Sequence, residues 1–257
     1  MFLLLFFQIV NAVFLMSHDA ATGYINTNIV SDVVYNWVIT QKGNFTDQLN
    51  CGARALDIRP KFDTKLSQLY FNHGPIEIKT PFMIAINDVI EWHAEHKETI
   101  ILYISHCDGN GCIDETIKQL SSLKILVDST IHLGSISVFI NSIEENFDES
   151  TTCYDGLSSC WANDKQYNKL LSSLDNYASK SYSGLWMLQA HWQYTTSSVA
   201  SGVVHLSSIL KDESKSQLNY RILTEFKNGR WPNLSIIELD NICGVGSSLP
   251  LRKEILE

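Results

Sequence analysis

The sequence predicts an α/β protein whose strands form an irregular TIM-type (β/α) barrel. Short apolar runs alternate with helical patterns along 257 residues, and such alternation is typical of a parallel sheet. Most of the runs are continuously apolar, as expected for strands that are covered on both faces. The length suits one large α/β domain, and a count of about seven strands makes the barrel irregular.

The elements can be placed in chain order. The candidate strands are Val13–Ser17, Ala53–Arg59, Gln68–Asn72, Thr99–Ser105, Ser135–Asn141, Gly184–Gln189 and Leu234–Asp240. The clearest helix is Pro81–Lys97, because proline suits a first helical turn and the apolar residues that follow recur on one face. Further helices are expected at Asp114–Leu123, Asp164–Ala178 and Ser214–Lys227.

Composition limits the classes of function. Hydrophobic residues make up 45% of the chain and the formal net charge is −9. This is the composition of a globular protein with a sizeable core. The negative charge argues against nucleic acid as a partner, and against adhesion to anionic lipid by charge alone.

The first residues are strongly apolar. Residues 1–12 can be a signal peptide that is cut after Ala12, which leaves residues 13–257 as a single domain. The alternative is a buried first strand. Gln8 and Asn11 interrupt the apolar run before it reaches about 18 residues, which argues against a membrane span.

Six cysteines favour export. Cys107 and Cys112 bracket one short loop, and Cys153 and Cys160 bracket another. We expect both pairs to be disulfides, which an oxidising compartment preserves. The alternative is a metal site, but the two-residue cysteine spacing and the matching histidine that are typical of such sites are missing. Cys51 and Cys243 remain, either paired with each other or free.

Polar side chains lie at the carboxyl ends of four predicted strands, the rim at which (β/α) barrels build active sites. Two histidines can serve as general base and general acid, and an arginine supplies a charged fork for phosphate. Taken singly, each has a structural interpretation, such as an ion pair or a helix cap. Together they fit attack on a phosphodiester without a metal. The residues are His18, Asp19, Asp57, Arg59, His73 and Asp240.

The segments that carry these residues are similar to a known family. "SHDAATGYI", "QLNCGARALDIRP" and "NHGP" resemble the X-box region of phosphatidylinositol-specific phospholipase C, over roughly residues 13–105, and "SIIELDN" resembles its late strand. The bacterial and secreted members with a single X domain are the most similar. The resemblance implies a PLC-like phosphodiesterase barrel that acts as a secreted monomer on a phospholipid, with no nucleic acid as partner.

The resemblance also implies roles. His18 would take the proton from an attacking inositol hydroxyl, with Asp240 behind it. His73 would protonate the leaving oxygen, with Asp57 behind it. Arg59 would bind the phosphate beside Asp19, and the first product would be a cyclic phosphate.

The triplet "DIR" distinguishes subfamilies. The calcium-dependent animal members place an acid where Arg59 stands, and a guanidinium cannot ligate calcium. We therefore expect no metal and no other cofactor.

The middle strands depart from the bacterial pattern, because they lack a clear basic residue for the headgroup. Gln189, His191 and Trp192 are the candidates for a headgroup-binding wall, although Trp192 can equally be a packing residue.

Two alternatives stay open. One is a metal-dependent glycerophosphodiesterase or sphingomyelinase-D-like hydrolase, whose acidic pair is replaced here by Asp57 and Arg59. The other is a catalytically inactive module that binds lipid or glycan.

Overall fold

The main sheet contains seven parallel strands. The computed structural model describes residues 13–25, 33–125, 127, 130–141, 143–145, 164–180 and 184–245. The strands are β1 (Phe14–Ser17), β2 (Ala55–Ile58), β6 (Ile100–Ile104), β7 (Ile136–Ile140), β8 (Glu144–Glu145), β9 (Trp186–Gln189) and β10 (Ile236–Leu239). Their order across the sheet is β7-β6-β2-β1-β10-β9-β8.

The two edges of this sheet lie close together. Only residues 141–143 separate β7 from β8, and a chain of that length spans at most about 14 Å. Since β7 and β8 are the opposite edge strands, the sheet must curl round on itself. The expected irregular barrel is confirmed.

Helices lie between the strands, and their buried side chains form the larger hydrophobic cluster together with the strand residues that face them. The helices are α1 (Phe45–Asn50), α2 (Phe82–His96), α3 (Cys112–Ser122), α4 (Asp164–Ala178), α5 (Thr196–Val204), α6 (Ile209–Ser216) and α7 (Leu218–Lys227). None of the helices in this described part of the chain has both the length and the apolarity needed to cross a bilayer.

Alternation along the strands decides which side chains point into the barrel. On β1, Leu15 belongs to the cluster shared with the helices, whereas Phe14 and Met16 belong to a second cluster of strand and near-strand residues. On β10, Ile236 likewise points inward and Ile237 outward. Because side chains alternate with a period of two, Asp57, Gln189 and Glu238 also point into the barrel.

Two predicted elements are wrong in detail. Gln68–Asn72 is a strand, but it belongs to a separate antiparallel sheet of β3 (Pro60–Asp63), β4 (Gln68–His73) and β5 (Ile76–Ile78). The predicted helix Ser214–Lys227 is divided between α6 and α7, because Gln217 takes a left-handed conformation with φ of 53°. The continuous apolar pattern shows neither the antiparallel pairing nor the break.

Two disulfides are present in the described residues. The expected bond between Cys107 and Cys112 is confirmed, and Cys51 pairs with Cys243. The predicted pair Cys153 and Cys160 lies outside the described residues, as does the proposed signal peptide.

Removing the Cys51–Cys243 bond should destabilise the protein more than removing the Cys107–Cys112 bond. The two bonds close loops with sequence separations of 192 and 5 residues, and the stabilisation grows with the logarithm of loop length. We expect a loss of about 5 kcal/mol for Cys51→Ser with Cys243→Ser, and about 2 kcal/mol for Cys107→Ser with Cys112→Ser. Urea denaturation of the two double variants measures both losses, and equal losses would contradict the expectation.

Candidate active site

The carboxyl ends of three adjacent strands meet at one point of the rim. β1 pairs in parallel with β2 on one side and with β10 on the other. His18 follows β1, Arg59 follows β2 and Asp240 follows β10. The topology of the sheet therefore brings these three residues together.

The chain turns sharply after β1. Asp19 has a φ of 43°, in the left-handed region that non-glycine residues seldom adopt, and a short 3-10 helix follows at Ala20–Tyr24. A Cβ atom on Gly23 would lie 1.8 Å from the carbonyl oxygen of Gly43, so only glycine fits there. The small residues after His18 and Asp19 thus permit a tight turn that keeps both side chains at the rim.

His18 is held through its ring and through its backbone. Its Nδ1 lies 2.8 Å from Asp240 Oδ1, the partner that the sequence resemblance implied. The Thr40 hydroxyl and the Gln41 side-chain amide both donate hydrogen bonds to the His18 carbonyl oxygen, at 2.8 and 3.1 Å. Thr40 and Gln41 were not predicted to belong to the site, because they lie in a loop without a recognisable motif.

Burial sets the charge of this pair. It lowers the pKa of His18 well below its ordinary value, and the adjacent His191 lowers that pKa further, against the opposing effect of Asp19. Burial also raises the pKa of Asp240 to about 6, against the opposing charge of His191. Above about pH 6, a neutral His18 can donate its Nδ1 proton to an ionised Asp240. The lone pair is then on Nε2, as a general base requires.

Arg59 lies between two carboxylates. Its guanidinium is 2.8 Å from Asp19 Oδ1 and 2.9 Å from Asp57 Oδ2. Asp57 also accepts hydrogen bonds from the Ser105 hydroxyl at 2.6 Å and from the Asp19 amide at 3.0 Å. Burial alone would raise the pKa of Asp57, but Arg59, His18 and these hydrogen bonds lower it to about 2. The cation is therefore fixed in place and stays charged.

His73 reaches the site by a different route from the one expected. The chain leaves β2 at Arg59, continues as β3 and returns antiparallel as β4. The hairpin therefore ends beside Arg59, and the Asn72 amide donates to the Arg59 carbonyl oxygen at 2.9 Å. His73 is at the rim because of a hairpin return and not because it ends a barrel strand.

The partner of His73 also differs from the expectation. Its Nδ1 lies 2.7 Å from the Val38 carbonyl oxygen, and its Nε2 lies 3.4 Å from Asp19 Oδ2. Asp57 binds Arg59 and is not behind His73.

The two histidines face the same acid. His18 Nε2 is likewise 3.4 Å from Asp19 Oδ2, so both histidines present Nε2 to the same carboxylate oxygen. A carbonyl can accept only from N–H, which assigns the Nδ1 proton of His73 and leaves Nε2 to exchange a proton.

The three candidate wall residues line one cavity of about 510 Å³ together with His18 and Arg59. The Gln189 amide donates to Glu145 Oε2 at 3.2 Å. Trp192 is buried, and its indole donates to the Ser216 hydroxyl at 3.2 Å. The cavity is within the size range of small-molecule sites.

Two acids of the site escaped the sequence analysis. Glu238 interrupts the apolar run of β10 and is 1% exposed. Burial and the nearby charge of Asp57 raise its pKa well above the ordinary value. Burial also raises the pKa of Glu145, which lines the cavity. A charge inside a strand that is covered on both faces was the signal that could have revealed Glu238.

Among the residues that the structure describes, two groups of potential metal ligands have atoms within 4.8 Å of one another: His18 with His191 and Glu238, and His18 with Asp19 and Asp57. In the first group the imidazoles are stacked, with ring centroids 3.9 Å apart, so their in-plane lone pairs do not converge. In the second, the Arg59 guanidinium already occupies the carboxylates. These donor sets fit a metal poorly, and metal independence stays a prediction.

Comparisons with known proteins agree with this geometry. No protein-family model matches the chain. A structure of phosphatidylinositol-specific phospholipase C from Staphylococcus aureus is 14% identical, with a TM-score of 0.64 over 96% of this chain and 92% of that chain. The Listeria monocytogenes enzyme is 14% identical, with a TM-score of 0.62 over 93% and 92%. The chain has the fold of the phosphatidylinositol-specific phospholipases C.

A curated relative extends the similarity to the sequence level. PI-PLC X domain-containing protein 1 of Danio rerio is 26% identical over 167 residues, which cover 64% of this chain and 47% of that protein. The chain thus matches about half the length of this relative. The resemblance to X-domain proteins that the motifs indicated is confirmed.

Proposed function

We propose that the protein is a phosphodiesterase of the phospholipase C type, which cleaves phosphatidylinositol or a glycosylated derivative. The observation that carries the proposal is the arrangement of His18 and His73. Each has its Nδ1 anchored, by Asp240 and by the Val38 carbonyl, and each presents Nε2 towards Asp19 beside Arg59. Two orientated imidazoles around one fixed cation suit acid–base attack on a phosphodiester.

The reaction is an intramolecular transfer. A headgroup hydroxyl next to the phosphate ester attacks phosphorus, and His18 Nε2 takes its proton. As the new O–P bond forms, the bond from phosphorus to the diacylglycerol oxygen breaks, and protonated His73 gives its Nε2 proton to that oxygen. The products are a cyclic phosphodiester and diacylglycerol.

Arg59 meets the charge that develops on the non-bridging phosphate oxygens. Preorganised groups of this kind usually account for a large part of catalysis. Since the nucleophile belongs to the substrate, holding the headgroup in place makes the step effectively unimolecular. Gln189 and Trp192 are proposed to provide the wall that holds the headgroup. The third candidate, His191, is only 2% exposed and stacks on His18, so it is not proposed to bind the headgroup.

Several apolar side chains near the cavity support a lipid surface as the site of action. Val204 and Leu206 are 77% and 82% exposed at the end of α5, whose Val199 lines the cavity. Gly202 of the same helix packs against Trp37, another cavity residue. From residue 192 to residue 210 the sequence contains no Asp, Glu, Lys or Arg, so this segment can approach a membrane without burying a fixed charge.

Val204→Ser with Leu206→Ser should weaken binding to vesicles of phosphatidylcholine and phosphatidylinositol by about tenfold, because two exposed apolar side chains lose their contact with lipid. Leu133→Ser is the matched control, since Leu133 is also exposed but precedes β7 at the opposite end of the strands. Vesicle sedimentation measures the binding. Equal binding by the double variant and the control would show that α5 does not meet the membrane.

We further propose a single catalytic domain at residues 13–257 that is secreted as a monomer. The two disulfides support an oxidising compartment. Non-reducing peptide mapping of protein made by a secretory route tests the two disulfides, and it also shows whether Cys153 pairs with Cys160.

A panel of lipids tests the proposed function. Purified protein is incubated with phosphatidylinositol, phosphatidylcholine, phosphatidylethanolamine and sphingomyelin, and the lipid products are separated. Diacylglycerol released from phosphatidylinositol is the expected result. Phosphatidic acid or a ceramide phosphate would instead indicate the sphingomyelinase-D-like alternative, and binding without any product would indicate an inactive module.

A further inference from the structure

His191 stacks directly on the proposed base. Its ring centroid lies 3.9 Å from that of His18, and the two planes differ by 16°. Both the ring and its backbone are buried, with 2% of the residue exposed. The stack covers one face of the His18 imidazole, so it limits rotation of that ring about its Cβ–Cγ bond.

A buried acid, Glu238, fixes His191 in turn. His191 Nε2 lies 3.3 Å from Glu238 Oε2. Glu238 and Asp240 are two positions apart on and just after β10, so both point towards the inside of the rim. Burying an acid inside the barrel is costly unless it is hydrogen-bonded, and the fold itself would be served by an apolar residue such as the neighbouring inward-facing Ile236.

The same two imidazoles flank Asp240. Its Oδ1 lies 2.8 Å from His18 Nδ1, and its Oδ2 lies 3.9 Å from His191 Nδ1. The contacts form a continuous array from Glu238 through His191 and Asp240 to His18. Every member other than His18 is at most 3% exposed.

We propose that His191 is a positioning residue for His18, and that Glu238 holds His191 in the stacked orientation. This inference rests on the proposed function for its kinetic consequence, but its structural consequence does not depend on turnover. The stack keeps the His18 ring aligned with Asp240, so that Nε2 faces the cavity. Since a displacement of about 1 Å can cost about 10²-fold in rate, losing the stack should damage the chemical step more than substrate binding.

Two substitutions of His191 distinguish the effect of its stacked ring from the effect of its ring nitrogen atoms. His191→Ala removes the stacked ring and should lower kcat by about 10- to 100-fold, with KM changed by less than about threefold. His191→Phe retains a stacked ring and should keep kcat within about fivefold of the wild type.

Substitutions of Glu238 test the second half of the proposal. Glu238→Leu removes the hydrogen-bond partner of His191 and should lower kcat, as His191→Ala does. Glu238→Gln can still hydrogen-bond to His191 and should keep kcat higher than Glu238→Leu does. The control is His96→Phe, because His96 stacks on Trp92 in α2, away from the site.

The pH profile provides a second kinetic signature. The groups around His18 are Asp19, Asp57, Arg59, His191 and Asp240. His191 is among the influences that lower the pKa of His18, so His191→Phe should raise that pKa while the other groups stay in place. A base acts when neutral, and the acid limb of kcat/KM should therefore move to higher pH.

Nuclear magnetic resonance tests the inference without substrate. The Nδ1 proton of His18, hydrogen-bonded to Asp240, should give a slowly exchanging signal in the wild type, in His191→Phe and in His96→Phe, and the signal should be lost in His191→Ala. Retention of this signal in a folded His191→Ala protein, or equal kinetic damage in the Ala and Phe variants, would overturn the inference. An inactive wild type with the expected pattern of signals would refute the proposed function and leave the positioning role standing.

Discussion

His18→Ala should lower kcat by about 10²- to 10⁴-fold, the usual loss when general acid–base help is removed. His18 is the neutral imidazole whose Nδ1 is engaged by Asp240 and whose Nε2 faces the cavity beside Asp19. Alanine leaves no group that can take the proton of the attacking hydroxyl. His73→Ala should cause a loss of similar size, because the leaving oxygen then departs without a proton.

The comparison needs a histidine that is not in the site. His96→Ala, on the exposed side of α2, should leave turnover within about twofold of the wild type, and thermal unfolding should show all three variants folded. Initial rates of diacylglycerol release measure the effect. If folded His18→Ala protein kept nearly normal turnover, His18 would not be the base.

Arg59→Lys should lower kcat by about 10²- to 10³-fold although the charge is retained, by analogy with the loss of one preorganised donor to a transition-state oxygen. The Arg59 guanidinium binds Asp19 and Asp57 at the same time and still has donors for phosphate. An ammonium is a point charge that cannot reproduce this planar fork. It would leave at least one of the two buried carboxylates without its partner.

A control substitution at another arginine and an experiment with EDTA accompany the Arg59→Lys variant. Arg230→Lys is the control, since Arg230 also forms ion pairs with two acids, Asp175 and Glu225, but lies before β10, at the opposite end of the barrel. Wild-type activity should persist in EDTA because Arg59 supplies the positive charge. Complete loss of activity in EDTA with rescue by Ca²⁺ or Mg²⁺ would overturn this role of Arg59 and favour the metal-dependent alternative.

Much of the fold could be predicted because buried parallel strands leave a strong pattern. Six of the predicted strands lie in the main sheet within two residues of their observed bounds, and the rim location of His18, Arg59 and Asp240 followed from their positions after strands. β8 was missed because a two-residue strand has no periodicity. β4 was assigned to the wrong sheet because an apolar run does not reveal whether its partner is parallel or antiparallel.

The partners inside the site were harder to predict. Asp57 and Asp19 are both near Arg59, and only the return of the hairpin decides that His73 faces Asp19. The role of Thr40 and Gln41 depends on long-range hydrogen bonds to the backbone around His18. Glu238 is a single acidic letter in an apolar run, and its meaning depends on His191, 47 residues earlier in the chain.

The central claim is that the substrate's own hydroxyl attacks phosphorus between His18 and His73. Phosphorus NMR of wild-type protein acting on phosphatidylinositol vesicles in EDTA tests it most directly. We expect a cyclic phosphodiester resonance to appear first, and any monoester to appear only afterwards as water opens the ring. A monoester that forms from the first time point without a cyclic precursor would contradict it, as would a phosphatidic acid product.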